Sequence, residues 1–279
     1  MSIKLAAFDL DGTLLGKNGH IHPVNVRALR ACQEQGVRLM ICSGRAFEVQ
    51  AGFAMEAGMD FILASANGAR IDEGIDGPTL LELPIERDMA GKIFEILYHS
   101  GMYCMIFSRA HAYAINTHER DRLGHHVHPA GKAVLHGRYP YEVVEDLDRV
   151  REEAVQAPYK FVCLGQDYDP RFDEIRGALR EAGFDMSISS SWRNNMEIMR
   201  PGVDKGSAVR FVAERLGIAM DEVMAFGDNS NDLPMLETVG WPVAMGNSEP
   251  CALRAARVVA QDHDVGGVGL ALNEYVLGK

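Results

Sequence analysis

Short apolar runs alternate with amphipathic helical patterns at the beginning of this 279-residue chain. The residue pattern predicts strands over 3–8, 37–42 and 61–64, separated by helices over 24–35 and 47–57. Strands that alternate with helices in this way typically form a parallel sheet with helices packed on its faces. The sequence therefore predicts an α/β fold with a Rossmann-like parallel sheet.

The same alternation returns near the carboxyl end of the chain. The pattern there predicts a helix over 204–216, a strand over 223–226, a short helix over 233–239, and strands over 243–245 and 257–260. Because both regions carry the same kind of pattern, we expect them to build one sheet, with the residues between them forming an insertion.

The segment from about Leu83 to Met199 has a different pattern. It predicts helices over 89–100 and 171–182, together with alternating strands over 103–107, 159–164, 186–190 and 196–199. Strands grouped with helices in this way favour an α+β domain with a mostly antiparallel sheet. We therefore predict a core domain of residues 1–83 and 200–279 and an inserted α+β cap domain of residues 84–199.

The overall charge restricts the partners that such a protein can bind. The chain has 39 acidic and 28 basic side chains and a net charge of -11, so we expect it to repel nucleic acid and anionic membranes. The first apolar run is interrupted by Asp9 and Asp11, and no run is long enough to cross a bilayer, so we expect a cytoplasmic protein. The five cysteines show no C-x-x-C spacing, which argues against a disulfide framework or a zinc knuckle.

Two carboxylates, Asp9 and Asp11, follow the first predicted strand directly. Residues two apart in a strand point to the same side, so both carboxylates would share one small volume at the end of the sheet. Such a pair needs a cation, a shared proton or separate tasks, and Mg²⁺ with oxygen ligands meets the first need. One aspartate could attack phosphorus while the other moves a proton. A pair of aspartates that only caps a turn is the alternative.

Further polar clusters lie at other predicted strand ends, where α/β proteins place their ligands. Ser43, Gly44 and Arg45 follow the second strand and could cradle a phosphate, although Ser-Gly is also a common turn and helix cap. Asp228 and Asp232 follow the strand over 223–226, where they could complete a metal site or simply form a polar loop with a helix cap. Lys205 would be a cation facing this acidic set, although a lone lysine in a first helical turn is normally only solvated.

In chain order these clusters read Asp-x-Asp-Gly-Thr, Ser-Gly-Arg, Lys-Gly and Gly-Asp-Asn-x-Asn-Asp. This order closely resembles the haloacid dehalogenase superfamily. The long insertion before Lys205 resembles the large cap of its Cof-type phosphatases, and Asn67-Gly68 resembles a recurrent loop of that group. The resemblance implies a Mg²⁺-dependent phosphatase that acts on small phosphorylated metabolites, such as sugar phosphates, through an aspartyl-phosphate. Ser43 and Ala46 are small departures, since threonine and proline are frequent at these positions.

The resemblance also implies roles for individual residues. Asp9 would be the nucleophile, and Asp11 the general acid/base. Mg²⁺ would be bound by Asp9, the backbone carbonyl of Asp11 and Asp228, with Asp232 supporting the metal from behind. The phosphoryl group would be held by Leu10, Ser43, Gly44, Lys205 and Asn231. Arg45, Asn67 and Glu197 are further candidates for substrate contacts.

Other functions stay open at this point. A phosphotransferase or phosphomutase would use the same aspartyl-phosphate, and a non-catalytic sensor would only bind a phosphometabolite. A dinucleotide oxidoreductase is disfavoured because no G-x-G-x-x-G follows the first strand. The carboxylate at Asp11 also argues against a transport ATPase of the superfamily, because those enzymes have a different residue at this position. The histidines His125, His126 and His128 form either a metal site or a polar cap loop, and we favour the loop.

Overall fold

The computed structural model describes residues 2–109, 111–120, 142–191 and 194–279. The chain divides into two compact units. The core unit consists of Met1–Leu81 and Asp204–Lys279, and the inserted unit consists of Glu82–Val203. The predicted boundaries, after residues 83 and 199, lie within a few residues of these limits. The assignment of the insertion as a cap stays a prediction.

The first part of the core unit alternates strands and helices. Its elements are β1 (Leu5–Phe8), α1 (Pro23–Glu34), β2 (Arg38–Cys42), α2 (Phe47–Ala57), β3 (Ile62–Ser65), β4 (Arg70–Asp72) and β5 (Thr79–Glu82). The predicted bounds of α2 are confirmed, and this helix ends at Gly58 because glycine adopts the left-handed conformation there, with φ of 61°. The strands β4 and β5 were not predicted.

The inserted unit contains a second sheet with helices. Its described elements are α3 (Arg87–His99), β6 (Tyr103–Phe107), β7 (His111–Ile115), β8 (Glu142–Val144), α4 (Leu147–Glu153), β9 (Lys160–Leu164), α5 (Arg171–Glu181), β10 (Ser187–Ser189) and β11 (Asn195–Met199). The sheet order is β10-β11-β9-β6-β7-β8, and every neighbouring pair is antiparallel except β7 and β8. The predicted α+β arrangement is confirmed. The predicted histidine group, His125, His126 and His128, lies outside the described residues.

The remaining elements complete the core unit. They are α6 (Lys205–Leu216), β12 (Val223–Gly227), α7 (Leu233–Leu236), β13 (Trp241–Ala244), α8 (Pro250–Ala255), β14 (Val258–Val259) and α9 (Gly267–Tyr275). The predicted helix over 233–239 is wrong at its carboxyl end, because α7 stops at Leu236. Helix α9 was not predicted.

The core sheet has β1 at its centre. The strand order is β14-β13-β12-β1-β2-β3-β4-β5; the strands from β14 to β3 are parallel, and β4 runs antiparallel to β3. Phe8 at the end of β1 lies opposite Phe226 of β12 and Ile41 of β2, so the carboxyl ends of these three strands meet. The predicted Rossmann-like parallel sheet is confirmed, and its topology gathers the residues that follow β1, β2 and β12 at one edge.

Every residue of β1 is buried, which is typical of a central strand covered on both faces. One face packs against α6 through an apolar cluster that includes Met40, Ala208 and Val212. This packing fixes the amino end of α6, and therefore Lys205, against the centre of the sheet. No helix in the described ranges combines the length and apolar character that a bilayer crossing requires.

Candidate active site

Asp9 stands directly after β1 and is buried, with 6% of its surface exposed. Its backbone N–H donates to the Phe226 carbonyl at 3.0 Å, which extends the pairing with β12 by one residue. The Nζ atom of Lys205 lies 2.6 Å from Oδ1 of Asp9 and 2.5 Å from Oδ1 of Asp232. The Lys205 side chain is completely buried, so a buried ammonium bridges two buried carboxylates.

Burial dominates the electrostatics of this cluster. Burial raises the pKa of Asp9 well above its usual range; attraction to Lys205 opposes the shift, and the nearby Asp232 and Asp228 add to it. Burial works against the charged form of Lys205, yet the attraction of Asp232 and Asp9 prevails and raises the pKa of its ammonium. Lys205 is therefore a permanent positive charge.

Asp232 organises the loop that follows β12. It lies in a single 3₁₀ turn, Ser230–Asp232, and is fully buried. Its Oδ2 atom accepts hydrogen bonds from the backbone N–H groups of Asp228 at 2.8 Å and Asn229 at 3.0 Å. Because Lys205 occupies the other oxygen, Asp232 ties this loop to α6. Asn231, in the same turn, is also buried.

Asp228 lies against the turn that follows Asp11. The hydroxyl of Thr13 donates to its Oδ1 atom at 2.8 Å. Gly12 has φ of 78°, and a Cβ atom built on it would lie only 2.4 Å from Oδ2 of Asp228, so glycine is required there on both counts. Burial, helped by the charge of Asp232, raises the pKa of Asp228 to about 7, while the Thr13 hydrogen bond opposes the shift.

The carboxylates fit a hard divalent cation. One oxygen from each of Asp9, Asp228 and Asp232 can be chosen so that all three lie within 4.8 Å of one another. Burial is the main cause of the raised pKa values of Asp9 and Asp228, and the neighbouring carboxylates add to it. Carboxylate oxygens in such a group are the ligands that Mg²⁺ prefers, so the donor set suits this ion.

Asp11 is held by Arg45. Nε and Nη2 of Arg45 donate to the two carboxylate oxygens of Asp11, each at 2.6 Å. This bidentate geometry fixes the orientation of the carboxylate as well as binding it. Burial lowers the pKa of Arg45, but the hydrogen bonds to Asp11 together with the charges of Asp11 and Asp9 outweigh it, and the net shift of the pKa is upward. Arg45, predicted as a substrate contact, thus engages the predicted acid/base.

The loop after β2 has its carbonyl groups tied inward. Ser43 N–H donates to the Ala64 carbonyl, and Asn67 N–H donates to the Ser43 carbonyl, both at 3.0 Å. The buried Gln50 amide adds donations to the carbonyls of Arg45 at 3.2 Å and Ala64 at 3.0 Å. Anchored carbonyls suit a loop that binds a phosphate, because a free carbonyl oxygen would repel the anion.

The structure places most of the predicted site residues in the core unit. Asp9, Leu10, Asp11, Ser43, Gly44, Arg45, Asn67, Lys205, Asp228, Asn231 and Asp232 follow strand ends or begin α6 there. Glu197 belongs to the inserted unit instead, on β11. It is buried and pairs with the buried Lys160 at 3.3 Å.

Three residues of the site were not predicted. Thr13 binds Asp228, Gln50 anchors the loop after β2, and Asn247 Nδ2 donates to the Gly12 carbonyl at 2.8 Å. A signal for two of them was present in the sequence. Thr13 lies inside the Asp-x-Asp-Gly-Thr run, and Gln50 is a polar residue in an otherwise largely apolar helix.

Comparisons with known proteins agree with this geometry. The family model for haloacid dehalogenase-like hydrolases matches residues 6–272. The stress response protein YhaX of Bacillus subtilis is 31% identical over 280 residues, covering 99% of this chain and 94% of that protein. The 5-amino-6-(5-phospho-D-ribitylamino)uracil phosphatase YcsE of the same organism is 27% identical, with coverage of 99% and 97%. A solved haloacid dehalogenase-like hydrolase from B. subtilis superimposes with a TM-score of 0.83 at 25% identity, covering 98% of this chain and all of that one.

Proposed function

Because the chain belongs to the haloacid dehalogenase-like hydrolases, we propose that it hydrolyses small phosphorylated metabolites, sugar phosphates among them, through an aspartyl-phosphate on Asp9. The observation that carries this proposal is the buried Lys205–Asp9 pair at the end of the central strand, with Asp11 and Asp228 beside it. A buried carboxylate beside a fixed cation can approach a phosphate dianion, because the cation offsets the repulsion between the two anions.

Asp9 attacks phosphorus in the first step of the proposed reaction. Lys205 engages Oδ1 of Asp9, so we assign the attack to Oδ2. The bond from phosphorus to the leaving oxygen breaks as the bond to Asp9 forms. Mg²⁺ held by Asp9, the backbone carbonyl of Asp11 and Asp228 would supply positive charge to the phosphoryl oxygens.

Asp11 moves the protons. It donates one to the leaving alkoxide and then takes one from the water that attacks phosphorus and releases Asp9. In the structure both carboxylate oxygens of Asp11 accept hydrogen bonds from Arg45, so one of these oxygens must leave the guanidinium to carry the proton. Ser43, Gly44, Leu10, Asn231 and Lys205 are the proposed contacts of the phosphoryl group. Gln50 serves them indirectly by fixing the loop carbonyls.

Substrate choice is assigned to the inserted unit. The buried Glu197–Lys160 pair provides an oriented carboxylate and an ammonium on adjacent strands, and these groups suit the hydroxyls of a polyol or sugar. A polyol or sugar substrate agrees with the name of one relative, which is a phosphatase of a phospho-ribityl compound. Glu197→Gln should therefore reorder a panel of sugar phosphates while leaving p-nitrophenyl phosphate hydrolysis largely unchanged. Identical rankings for the variant and the wild-type chain would contradict this assignment.

Steady-state assays of the purified chain on a phosphate-ester panel, with Mg²⁺ and with a chelator, test the proposal. Asp9→Asn should abolish turnover without unfolding the chain, because an amide does not attack phosphorus. The matched control is Asp221→Asn, an exposed aspartate just before β12 at the other end of the sheet. A phosphotransferase would pass the phosphoryl group to an added acceptor instead of releasing inorganic phosphate, and a sensor would bind esters without any turnover.

A further inference from the structure

The loop that follows the nucleophile strand is held by backbone and by side-chain hydrogen bonds. The N–H groups of Thr13, Leu14 and Leu15 donate to backbone carbonyls of Leu10 and Asp9, whereas three carbonyl groups of the loop accept from side-chain nitrogens. The pairs are Gly12 with Asn247 Nδ2 at 2.8 Å, Leu14 with Asn25 Nδ2 at 3.2 Å, and Leu15 with His263 Nδ1 at 2.6 Å. The conformation of residues 12–15 therefore depends in part on groups far away in the sequence.

Both asparagine amides are oriented by the carboxyl-terminal segment. The backbone N–H of His263 donates to Oδ1 of Asn247 at 3.1 Å, and the N–H of Gly269 donates to Oδ1 of Asn25 at 2.8 Å. An amide oxygen that accepts a backbone N–H must turn its nitrogen the other way. In each case that nitrogen faces a carbonyl of the loop.

Asp264 adds a further tie to the same loop. Its Oδ1 atom accepts the backbone N–H of Lys17 at 2.7 Å, and its Oδ2 atom pairs with the Lys17 ammonium at 2.8 Å. Asp262, His263 and Asp264 are close enough together to suggest a cation site. Because the ring of His263 and the carboxylate of Asp264 already engage the loop, we assign this cluster to bracing instead.

Asn247 binds the loop at Gly12, where the backbone packs closely against the Asp228 carboxylate. Gly12 lies between Asp11 and Thr13, and its Cα faces the Asp228 carboxylate so closely that no Cβ fits. A rotation of the peptide after Gly12 would displace the Asp11 backbone on one side and the Thr13 hydroxyl on the other. We propose, on the basis of the function proposed above, that Asn247 is a positioning residue that fixes the Gly12 carbonyl and so keeps Asp11 aligned for proton transfer.

The side chain of Asn247 is exposed, so it can be changed without opening a cavity. Asn247→Ala removes both of its hydrogen bonds. Asn247→Asp keeps an oxygen that can accept from His263 but loses the donor to Gly12. Asn18→Ala is the matched control, because Asn18 is an exposed asparagine nearby in the same connection, whose amide oxygen accepts a backbone N–H from His20.

The expected result separates positioning from general support of the fold. With an alkyl phosphate, kcat/KM of both Asn247 variants should fall roughly 10- to 100-fold, the range expected when a catalytic group is displaced by about 1 Å. The loss of kcat/KM should be smaller for p-nitrophenyl phosphate, whose leaving group needs no proton. Asn18→Ala should match the wild-type chain.

A double variant tests whether Asn247 acts through Asp11. In an Asp11→Asn background, Asn247→Ala should cause almost no further loss with the alkyl phosphate. Additive losses, equal losses of kcat/KM for the two esters, or wild-type kcat/KM in Asn247→Asp would overturn the proposal. A wild-type chain that hydrolyses no ester would instead refute the proposed function, and the positioning role would fail with it.

Discussion

Replacing Lys205 by methionine should destabilise the core unit more than any other single charge removal in the site. The ammonium is fully buried and bridges Asp9 and Asp232 at 2.6 and 2.5 Å. Methionine is of similar length and keeps the packing, so the change isolates the charge. Removing one partner of a buried ion pair typically costs about 3–5 kcal/mol, because the remaining charge is left buried and uncompensated.

The loss should depend on pH in a defined direction. The pKa of Asp9 is already raised by burial, and without Lys205 it should rise further. A carboxyl whose pKa is higher in the folded than in the unfolded state contributes stability at low pH, and that contribution disappears as the pH rises towards the folded pKa. The difference between wild type and variant should therefore be larger at pH 8 than at pH 5, with a slope of up to about 1.4 kcal/mol per pH unit for one proton.

Guanidinium denaturation followed by circular dichroism, in the presence of a chelator, measures this difference at each pH. The matched control is Lys4→Met, which removes an ammonium 2.7 Å from Glu222 but with a side chain that is 53% exposed. That exposed pair should contribute about 0–1 kcal/mol. A Lys205→Met loss that equals the control, or that stays constant between pH 5 and pH 8, would refute the reasoning.

Three further predictions concern the remaining parts of the site. Asp11→Asn should lower kcat/KM by about 10²- to 10⁴-fold with an alkyl phosphate and much less with p-nitrophenyl phosphate. We compare kcat/KM because it reports the steps up to formation of the aspartyl-phosphate, whereas release of Asp9 is common to both esters and limits kcat. An equal loss of kcat/KM for the two esters would contradict the role of Asp11 as the acid. Because the pKa of Asp228 is raised to about 7, protons should compete with Mg²⁺ below that pH. The Mg²⁺ affinity measured by calorimetry should fall at least about tenfold per pH unit below pH 7, and Mg²⁺ binding at pH 7 should release protons. A pH-independent affinity would count against Asp228 as a ligand. Gly12→Ala should weaken Mg²⁺ binding and turnover strongly, because the added Cβ would lie 2.4 Å from Asp228. The control is Gly19→Ala, which has nearly the same φ but open space around it and should change only stability. Similar activities in the two variants would show that the close contact is unimportant.

Local sequence signals were sufficient to predict a helix or strand where the apolar periodicity and the residues at the ends of the element indicated the same bounds. Helix α2 was predicted with its bounds because a largely apolar pattern ends at Gly58. Strand β6 was predicted because five apolar residues form one strand. The parallel sheet followed from the alternation of such elements. The order of the motifs at the strand ends then pointed to the family.

The elements that were missed depend on tertiary contacts. Strand β4 is only three residues long and includes Arg70 and Asp72, a buried ion pair whose polar sequence hides the strand. Helix α9 contains Gly267 and Gly269, which lower helix propensity but are needed because a Cβ at either would overlap backbone atoms. No local pattern could reveal these contacts.

The same limit applies to the site. Asp9, Asp11, Lys205 and Asp228 were predicted because their residue types and positions at strand ends carry the chemistry. The contacts of Arg45 with Asp11 and of Asn247 with Gly12 join residues that are far apart in the chain. Such partners become visible only when the backbone is folded.

Trapping the aspartyl-phosphate tests the central claim most directly. In the Asp11→Asn variant, Asp9 should still attack p-nitrophenyl phosphate, whose leaving group needs no proton. The aspartyl-phosphate should then be hydrolysed slowly, because Asp11 no longer deprotonates the water. Rapid mixing of this variant with the ester and Mg²⁺ should give a burst of p-nitrophenolate close to one equivalent per chain. Acid quenching, borohydride reduction and peptide mass spectrometry should then place the modification on Asp9. Linear product formation from the first turnover, with Asp9 unmodified, would contradict the covalent mechanism.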